Sequence, residues 1–295
     1  MARIAVIGSI NMDLVVETDK SPKKGETVLG NQFFTSHGGK GANQAVAVAR
    51  LGGSVTMFGS LGNDQNGKSL KDNLVLESIE TTYINMLDNV SSGVAVIEIC
   101  EKDNRIIVIP GANQHTNIEY LSTVKEVLLN FDVIIMQMEI PIEALQFIIK
   151  FLSENKKVII LNPAPALPLP EDVLSQVTYI TPNEHEYKIV LNTSHDIEAS
   201  LRRYPNKLLI TCGEKGVKYH NGSNVETIPS IKVDVVDTTG AGDTFTAAFG
   251  IAISEGRPLH EAIRFANIAA GLSITKIGAQ QGMPTRKSVT KLLDS

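Results

Sequence analysis

Apolar positions fall into two kinds of run along this 295-residue chain. Residues 4–7, 55–59, 133–136, 158–161, 177–180 and 208–211 are short and nearly unbroken in apolar character, as expected of strands buried on both faces. Segments with helical spacing, such as 143–151, lie between them. This rhythm predicts an α/β fold, a doubly wound, mainly parallel sheet flanked by helices. Residues 10–17 instead alternate apolar with polar positions, and 92–100 and 105–110 are also strand-like. With a strand expected around 28–35 and a hairpin turn at Glu101-Lys102-Asp103-Asn104, they predict a small peripheral β-sheet distinct from the core.

Residues 45–51 and 245–253 are apolar all round and predict buried helices. Each follows a glycine-bearing stretch, Ser36-His37-Gly38-Gly39-Lys40-Gly41-Ala42-Asn43-Gln44 and Asp237-Thr238-Thr239-Gly240-Ala241-Gly242-Asp243. Glycines at a helix start let backbone N–H groups converge, and the helix dipole adds positive potential there. Such a nest suits a phosphoryl group in flight, and Asp243 at its edge could take a proton from an attacking hydroxyl. The same residues would also serve an ordinary helix N-terminus with a solvated carboxylate. Lys40 and Asn43, three apart, can face one site. A lysine leading into a buried helix is hard to explain by packing alone. Asn11 and Asp13, two apart on a strand, point the same way and could hold sugar hydroxyls or shape a turn. Ligands of parallel sheets sit beyond the carboxyl ends of strands. This chain places Glu139, Asn162, Asn183-Glu184-His185-Glu186 and Thr211-Cys212-Gly213-Glu214-Lys215-Gly216 there.

Composition narrows the chemistry. A net charge of −5 without a Lys/Arg block argues against nucleic acid or an anionic membrane as the main partner. No run reaches the roughly 18 apolar residues of a membrane helix, and the one at 4–7 is too short for a signal peptide. A cytoplasmic protein is expected. Cys100 and Cys212 lack C-x-x-C spacing, and the six histidines are scattered without metal-ligand spacing. Gly62-Asn63-Asp64-Gln65-Asn66-Gly67-Lys68-Ser69 matches the phosphate-binding pattern G-x-x-x-x-G-K-[ST] letter for letter. The strand before it is expected to end at Gly59, offsetting the loop, and no acidic metal strand completes the site. The match is read as coincidence.

Taken in order, two motifs resemble those of the phosphofructokinase-B-type (pfkB) carbohydrate kinases, and the resemblance covers essentially the whole chain. The first is Gly38-Gly39-Lys40-Gly41-Ala42-Asn43-Gln44-Ala45, continuing to Gly52 and Gly62; the second is Asp237 through Asp243 with Ala247-Ala248 behind it. Gly8-Ser9-Ile10-Asn11-Met12-Asp13-Leu14 and Gly278-Ala279-Gln280 narrow the resemblance to members that phosphorylate ribose. It implies a single α/β domain over 1–295 whose strands at about 10–36 and 92–110 form a lid over the sugar and pair into a homodimer. It implies transfer from ATP to the 5-hydroxyl of D-ribose, with Asp243 as base and Gly240, Ala241 and Gly242 as anion hole. Asn11, Asp13, Gly39, Lys40, Asn43 and Glu139 become sugar contacts. Asn183, Thr211, Cys212, Gly213, Glu214, Lys215, Gly216, Gly242 and Asn267 become nucleotide contacts. Glu186, closing an Asn-x-x-Glu motif, acts indirectly on magnesium. Asp237, Thr239, Ser273, Lys276 and Gly278 match a potassium site, mostly through backbone carbonyls, and Gly282 departs from the side-chain oxygen that often completes it. Alternatives are a kinase for deoxyribose, another sugar or a nucleoside, and a non-catalytic sugar-binding regulator. Asp243 with its full anion hole argues against the regulator.

Overall fold

The computed structural model describes residues 3–101 and 103–293. Lys102, in the predicted turn, lies outside the described residues, as do Met1, Ala2, Asp294 and Ser295. The strands are β1 (Arg3–Ile7), β2 (Asn11–Glu17), β3 (Gln32–Gly38), β4 (Ser54–Gly62), β5 (Ile84–Leu87), β6 (Gly93–Cys100) and β7 (Asp103–Ile109). They continue with β8 (Val133–Gln137), β9 (Val158–Asn162), β10 (Tyr179–Ile180), β11 (Leu209–Thr211), β12 (Val217–His220) and β13 (Val225–Ile228). The helices are α1 (Lys40–Arg50), α2 (Gln65–Leu76), α3 (Ile118–Leu128), α4 (Ile142–Glu154), α5 (Glu171–Gln176) and α6 (Glu186–Val190). The last five are α7 (Ile197–Arg203), α8 (Ala241–Ser254), α9 (Leu259–Ser273), α10 (Ala279–Gly282) and α11 (Arg286–Leu293).

Six strands form a parallel sheet in the order β10-β9-β8-β1-β4-β5. Its apolar runs do not alternate because both faces are covered. Ile4 and Val6 pack with residues of α1, α8 and α9, while Ala5 and Ile7 pack with residues of α3 and α4 on the other side. Chain order reverses between β1 and β8, so the ends of these two strands flank the crevice where such sheets take ligands. Gly41 lets α1 begin directly against the end of β1, since a Cβ there would overlap the Gly8 and Ser9 backbone.

A second sheet, ordered β3-β2-β6-β7, stands beside this crevice. It pairs β2 parallel to β6 and antiparallel to β3. Phe33, Ile106, Ile107 and Val108 lie exposed on it.

Several elements differ from expectation. The strand expected at 177–180 is only Tyr179–Ile180, because Val177 is the C-cap of α5. Positions 103 and 104 of the expected turn belong to β7. The strand expected around 28–35 runs from Gln32 to Gly38, because its register is set by β2, with Gln32 opposite Glu17 and Gly38 opposite Asn11. Residues 208–211 do not extend the parallel sheet as a full strand. β11 pairs antiparallel with β12, and β12 with β13, and only the isolated bridges Ile180–Leu208 and Asn183–Thr211 join them to the parallel set. Finally, β4 continues past Gly59 to Gly62, because β5 pairs along residues 59–62.

Candidate active site

The N-terminus of α8 sits beyond the carboxyl ends of the sheet. Gly240 caps it with φ of 78°, and its Cα lies so close to Ala279 that a side chain would not fit. Its carbonyl accepts from Thr244 N at 2.8 Å and Thr244 Oγ1 at 2.9 Å. Ala241 N donates to Thr238 O at 3.2 Å, while among the described residues no backbone acceptor takes the Gly242 or Asp243 amide. This first turn, with Lys40, Asn162, Asn183, Glu186 and Thr211, lines a cavity of about 180 Å³. Two unbonded amides, a helix dipole and an ammonium group border one small cavity, a setting that suits an anion.

Asp243 is buried at its edge. Asn43 Nδ2 donates to its Oδ2 and Gln44 Nε2 to its Oδ1, each at 3.0 Å. These partners are held in turn. Gln44 Oε1 accepts from Gln137 Nε2 at 2.6 Å, and Gln44 Nε2 also reaches Asn162 Oδ1 at 3.2 Å. Asn43 Oδ1 accepts from Gln280 Nε2 at 3.1 Å. The carboxylate is therefore fixed in direction, yet each oxygen keeps acceptor capacity for a further partner.

Beside it, Glu139 Oε2 accepts from Ser9 Oγ at 2.5 Å and from Lys40 N at 3.1 Å, tying β1, α1 and the end of β8 together. Asn11 Oδ1 accepts from Asn113 Nδ2 at 2.7 Å, and Asn113 Oδ1 accepts from Ile10 N at 2.9 Å. Asp13 projects against Gly38, where a Cβ would overlap its carboxylate. Burial, then the charges of Glu139 and Asp243, push the Asp13 carboxyl up to about 7. Burial alone would lower the Lys40 pKa, but the carboxylates of Asp243, Glu139 and Glu186 outweigh it and hold the ammonium above its ordinary value. Lys40, read from sequence as a sugar contact, also borders the anion cavity.

A cleft of about 1060 Å³ adjoins that cavity and shares Asn183, Thr211, Thr238, Ala241 and Gly242 with it. Gly213, Glu214, Lys215, Gly216 and Asn267 line it, with Val233, Val235 and Ile274 as apolar wall. Asn267 Nδ2 donates to Ile228 O at 2.9 Å and Pro229 O at 3.1 Å. Cys212 does not line the cleft; it is buried, its thiol pushed up by burial, and Sγ donates to Ile210 O at 3.6 Å. The Asn-x-x-Glu spacing makes a closed capping arrangement. Asn183 Oδ1 accepts from His185 N at 2.8 Å and Glu186 N at 2.9 Å, while Asn183 N donates to Glu186 Oε2 at 2.8 Å.

Next to Gly240, Asp237 Oδ1 accepts from Thr239 N at 2.9 Å and Thr239 Oγ1 at 2.7 Å, and Oδ2 from Gly278 N at 2.8 Å. Burial opposes ionisation of Asp237, but the hydrogen bonds from Thr239 and Gly278 prevail and its pKa is lowered. The carbonyl of Ser273 lies where a Gly282 side chain would go, with that of Lys276 also within 4 Å of that point. Neutral carbonyls near one carboxylate suit a singly charged cation, and Glu186 beside the anion cavity suits water-mediated contact to magnesium on phosphates. Among the described residues no three His, Cys, Asp or Glu side chains group as metal ligands.

The look-alike at 62–69 is built otherwise. Asp64 caps α2 by accepting from Gly67 N at 2.7 Å, and it also takes Ser92 N and Ser92 Oγ, each at 2.8 Å. Lys68 N is bonded to Asp64 O at 3.0 Å, the Lys68 side chain is exposed, and Gly67 packs on the Gly62 carbonyl. No cradle of free amides exists there.

Several residues of the site escaped the sequence reading. Ser9 and Gln44 stand within quoted motifs, and Gln137 directly follows the strand expected at 133–136, so position alone could have flagged them. Gln280 also stands in a quoted motif, Gly278-Ala279-Gln280, whereas for Asn113 the pattern offered no comparable signal.

Residues 1–286 match the pfkB family of carbohydrate kinases. The chain is 48% identical to a ribokinase of Bacillus subtilis over 99% of its own length and 100% of the relative's. It is 34% identical to a deoxyribokinase of Salmonella typhi, covering 98% of each chain. The structure of Arabidopsis thaliana ribokinase complexed with ribose and ATP superimposes with a TM-score of 0.91 at 33% identity, covering 100% of both chains.

Proposed function

Because this chain belongs to the pfkB family of carbohydrate kinases, we propose that it is a ribokinase, moving the γ-phosphoryl group of ATP to the 5-hydroxyl of D-ribose. The observation that carries this reading is Asp243, its two oxygens fixed by Asn43 and Gln44 at the mouth of the unbonded amides of α8. Asn11, Asp13, Gly39, Lys40, Asn43 and Glu139 hold the sugar so that its 5-hydroxyl meets Asp243. The hydroxyl oxygen bonds to the γ-phosphorus, its proton passes to Asp243, and the bridging oxygen leaves with the bond electrons on ADP. Gly240, Ala241 and Gly242 shape the anion hole. Its unbonded donors are the Gly242 and Asp243 amides, while Ala241 N is held by Thr238 O, and the Lys40 ammonium adds positive potential where charge develops. Asn183, Thr211, the turn from Gly213 to Gly216 and Asn267 hold the nucleotide in the large cleft. Cys212 lies behind that cleft and shapes the turn, its N–H donating to Gly216 O at 2.7 Å and its carbonyl accepting from Lys215 N at 3.1 Å.

Glu186 would hold magnesium through water, and that ion would neutralise phosphate charge. Asp237, with carbonyls of Thr239, Ser273, Lys276 and Gly278, would hold potassium and stiffen the adjoining loop. The chain works as one α/β unit whose β3-β2-β6-β7 sheet serves as lid, excluding water from the reaction. The exposed apolar side chains of that sheet, Phe33, Ile106, Ile107 and Val108, support pairing of two lids in a homodimer. Among the described residues no helix is long and apolar enough to cross a membrane, and use of ATP fits a cytoplasmic location.

The test is an ATP-coupled phosphorylation screen over D-ribose, 2-deoxyribose, hexoses and nucleosides. D-ribose should lead in kcat/KM, because a polar group left unpaired in a buried site costs about 1–3 kcal/mol. A nucleoside, hexose or deoxyribose leading by tenfold would overturn the substrate assignment.

A further inference from the structure

The short loop and helix from Gly278 to Gly282 touch the reaction centre from behind. Ala279 packs under Gly240, and the Gly278 amide holds Asp237. Gln280 is 4% exposed and lines neither cavity, yet both ends of its side-chain amide are engaged. Its Nε2 donates to Asn43 Oδ1 at 3.1 Å, and its Oε1 accepts from Asn73 Nδ2 at 3.0 Å. Its backbone carbonyl accepts from Arg50 Nη1, and Arg50 is itself paired with Glu77 at 2.5 Å. Gln280 is thus bonded at both ends of its amide, donating to Asn43 and accepting from Asn73.

The acceptor-only carboxylate of Asp243 sets which way this row of amides runs, and Gln280 secures that arrangement at Asn43. An asparagine amide is nearly symmetric in shape, and turning it by half a rotation exchanges donor and acceptor. In one orientation Asn43 Nδ2 donates to Asp243; in the other, Oδ1 would face the carboxylate, acceptor against acceptor. Only the first also lets Asn43 Oδ1 accept from Gln280. We propose that Gln280 is a positioning residue for phosphoryl transfer: by holding Asn43 Oδ1 it aims Asn43 Nδ2 at Asp243 and so fixes the direction of the carboxylate. This deepens the ribokinase reading and rests on Asp243 being the base. Gln280 touches neither substrate; it sets the geometry of the group that does.

Two near-isosteric variants separate this role from packing. Gln280→Glu puts an acceptor where the donor was, so Asn43 Nδ2 lies between two carboxylates and its hold on Asp243 is weakened. Gln280→Met keeps the volume and removes the polar handle. With both shown folded by thermal unfolding, kcat should fall about 100-fold in Gln280→Glu and about tenfold in Gln280→Met. KM for ATP should stay within about twofold, because the nucleotide meets neither residue 280 nor Asn43, while KM for ribose should rise in Gln280→Glu as Asn43 moves. In an Asn43→Ala background, Gln280→Met should change kcat by less than about twofold, since its only route to Asp243 is gone. Unchanged kcat in both variants, a loss carried by the ATP KM, or a full tenfold loss surviving in the Asn43→Ala background would each overturn the proposal. A crystal structure of Gln280→Glu decides the same point without activity: the Asp243 carboxylate should swing away from Asn43, and an unmoved contact overturns the role. If the wild-type protein phosphorylates no sugar, the kinase reading fails, while that crystal structure still decides what Gln280 does.

Discussion

Two stretches of this chain bear the glycines of a phosphate site, and they are built in opposite ways. At residues 237–243 the helix begins late, Gly240 turns the chain, and the Gly242 and Asp243 amides have no backbone partner. At 62–69 the helix begins at Gln65, Asp64 caps it, and the Gly67 and Lys68 amides are bonded within the first turn. The first presents donors to a cavity; the second spends them on itself. Glycine and lysine spacing therefore does not define a phosphate site. What defines it is amides left without a partner, a carboxylate fixed beside them, and a cation whose charge the surroundings sustain.

The largest effect should come from breaking the first region. Asp243→Asn keeps the shape and removes the base, so kcat should fall by about 10²–10⁴-fold in a coupled assay. An active Asp243→Asn enzyme would move the reaction centre elsewhere. Gln44→Leu removes one of the two donors to Asp243 and leaves Gln137 Nε2 without its acceptor. We expect kcat to fall about 10–100-fold with a lowered Tm. Normal kcat would mean that Asn43 alone positions the carboxylate.

Asp13 sharpens the contrast through pH. An acid whose folded pKa, about 7, lies above its ordinary 3.8 binds more protons when folded, so its contribution to stability falls as pH rises between those values. Asp13→Asn should therefore raise Tm at pH 8 more than at pH 5, while raising KM for ribose. An equal Tm change at both pH values would mean that Asp13 ionises normally. The second region should answer weakly. Asp64→Ala should cost about 1–2 kcal/mol of stability through the lost cap, read by denaturant unfolding, with kcat unchanged. Lys68→Ala should leave kcat and the ATP KM within about twofold, because exposed substitutions usually stay within about ±0.5 kcal/mol in stability and this lysine reaches no phosphate.

Much of this contrast was legible in the sequence. Asp243, Lys40 and Asn43 were found because glycines before an all-apolar helix are costly unless a ligand needs them. The parallel sheet followed from unbroken apolar runs, but a run such as 208–211 carries no direction, so its antiparallel pairing with β12 was invisible. The end of β4 at Gly62 was missed because pairing with β5, not local pattern, carries it past Gly59. The amide relay was missed for a related reason. Gln280 and Asn43 are separated by 237 positions, and although both stand in quoted motifs, nothing in the sequence shows that the fold brings their amides together.

The most direct test of the central claim is a crystal structure of the enzyme with D-ribose, MgADP and aluminium fluoride, whose planar group stands in for the transferring phosphoryl. The account predicts that group within hydrogen-bonding distance of the Gly242 and Asp243 amides, with the ribose 5-hydroxyl in line and against the Asp243 carboxylate. Nucleotide phosphates bound instead at Gly62–Ser69, or a sugar hydroxyl out of reach of Asp243, would contradict it.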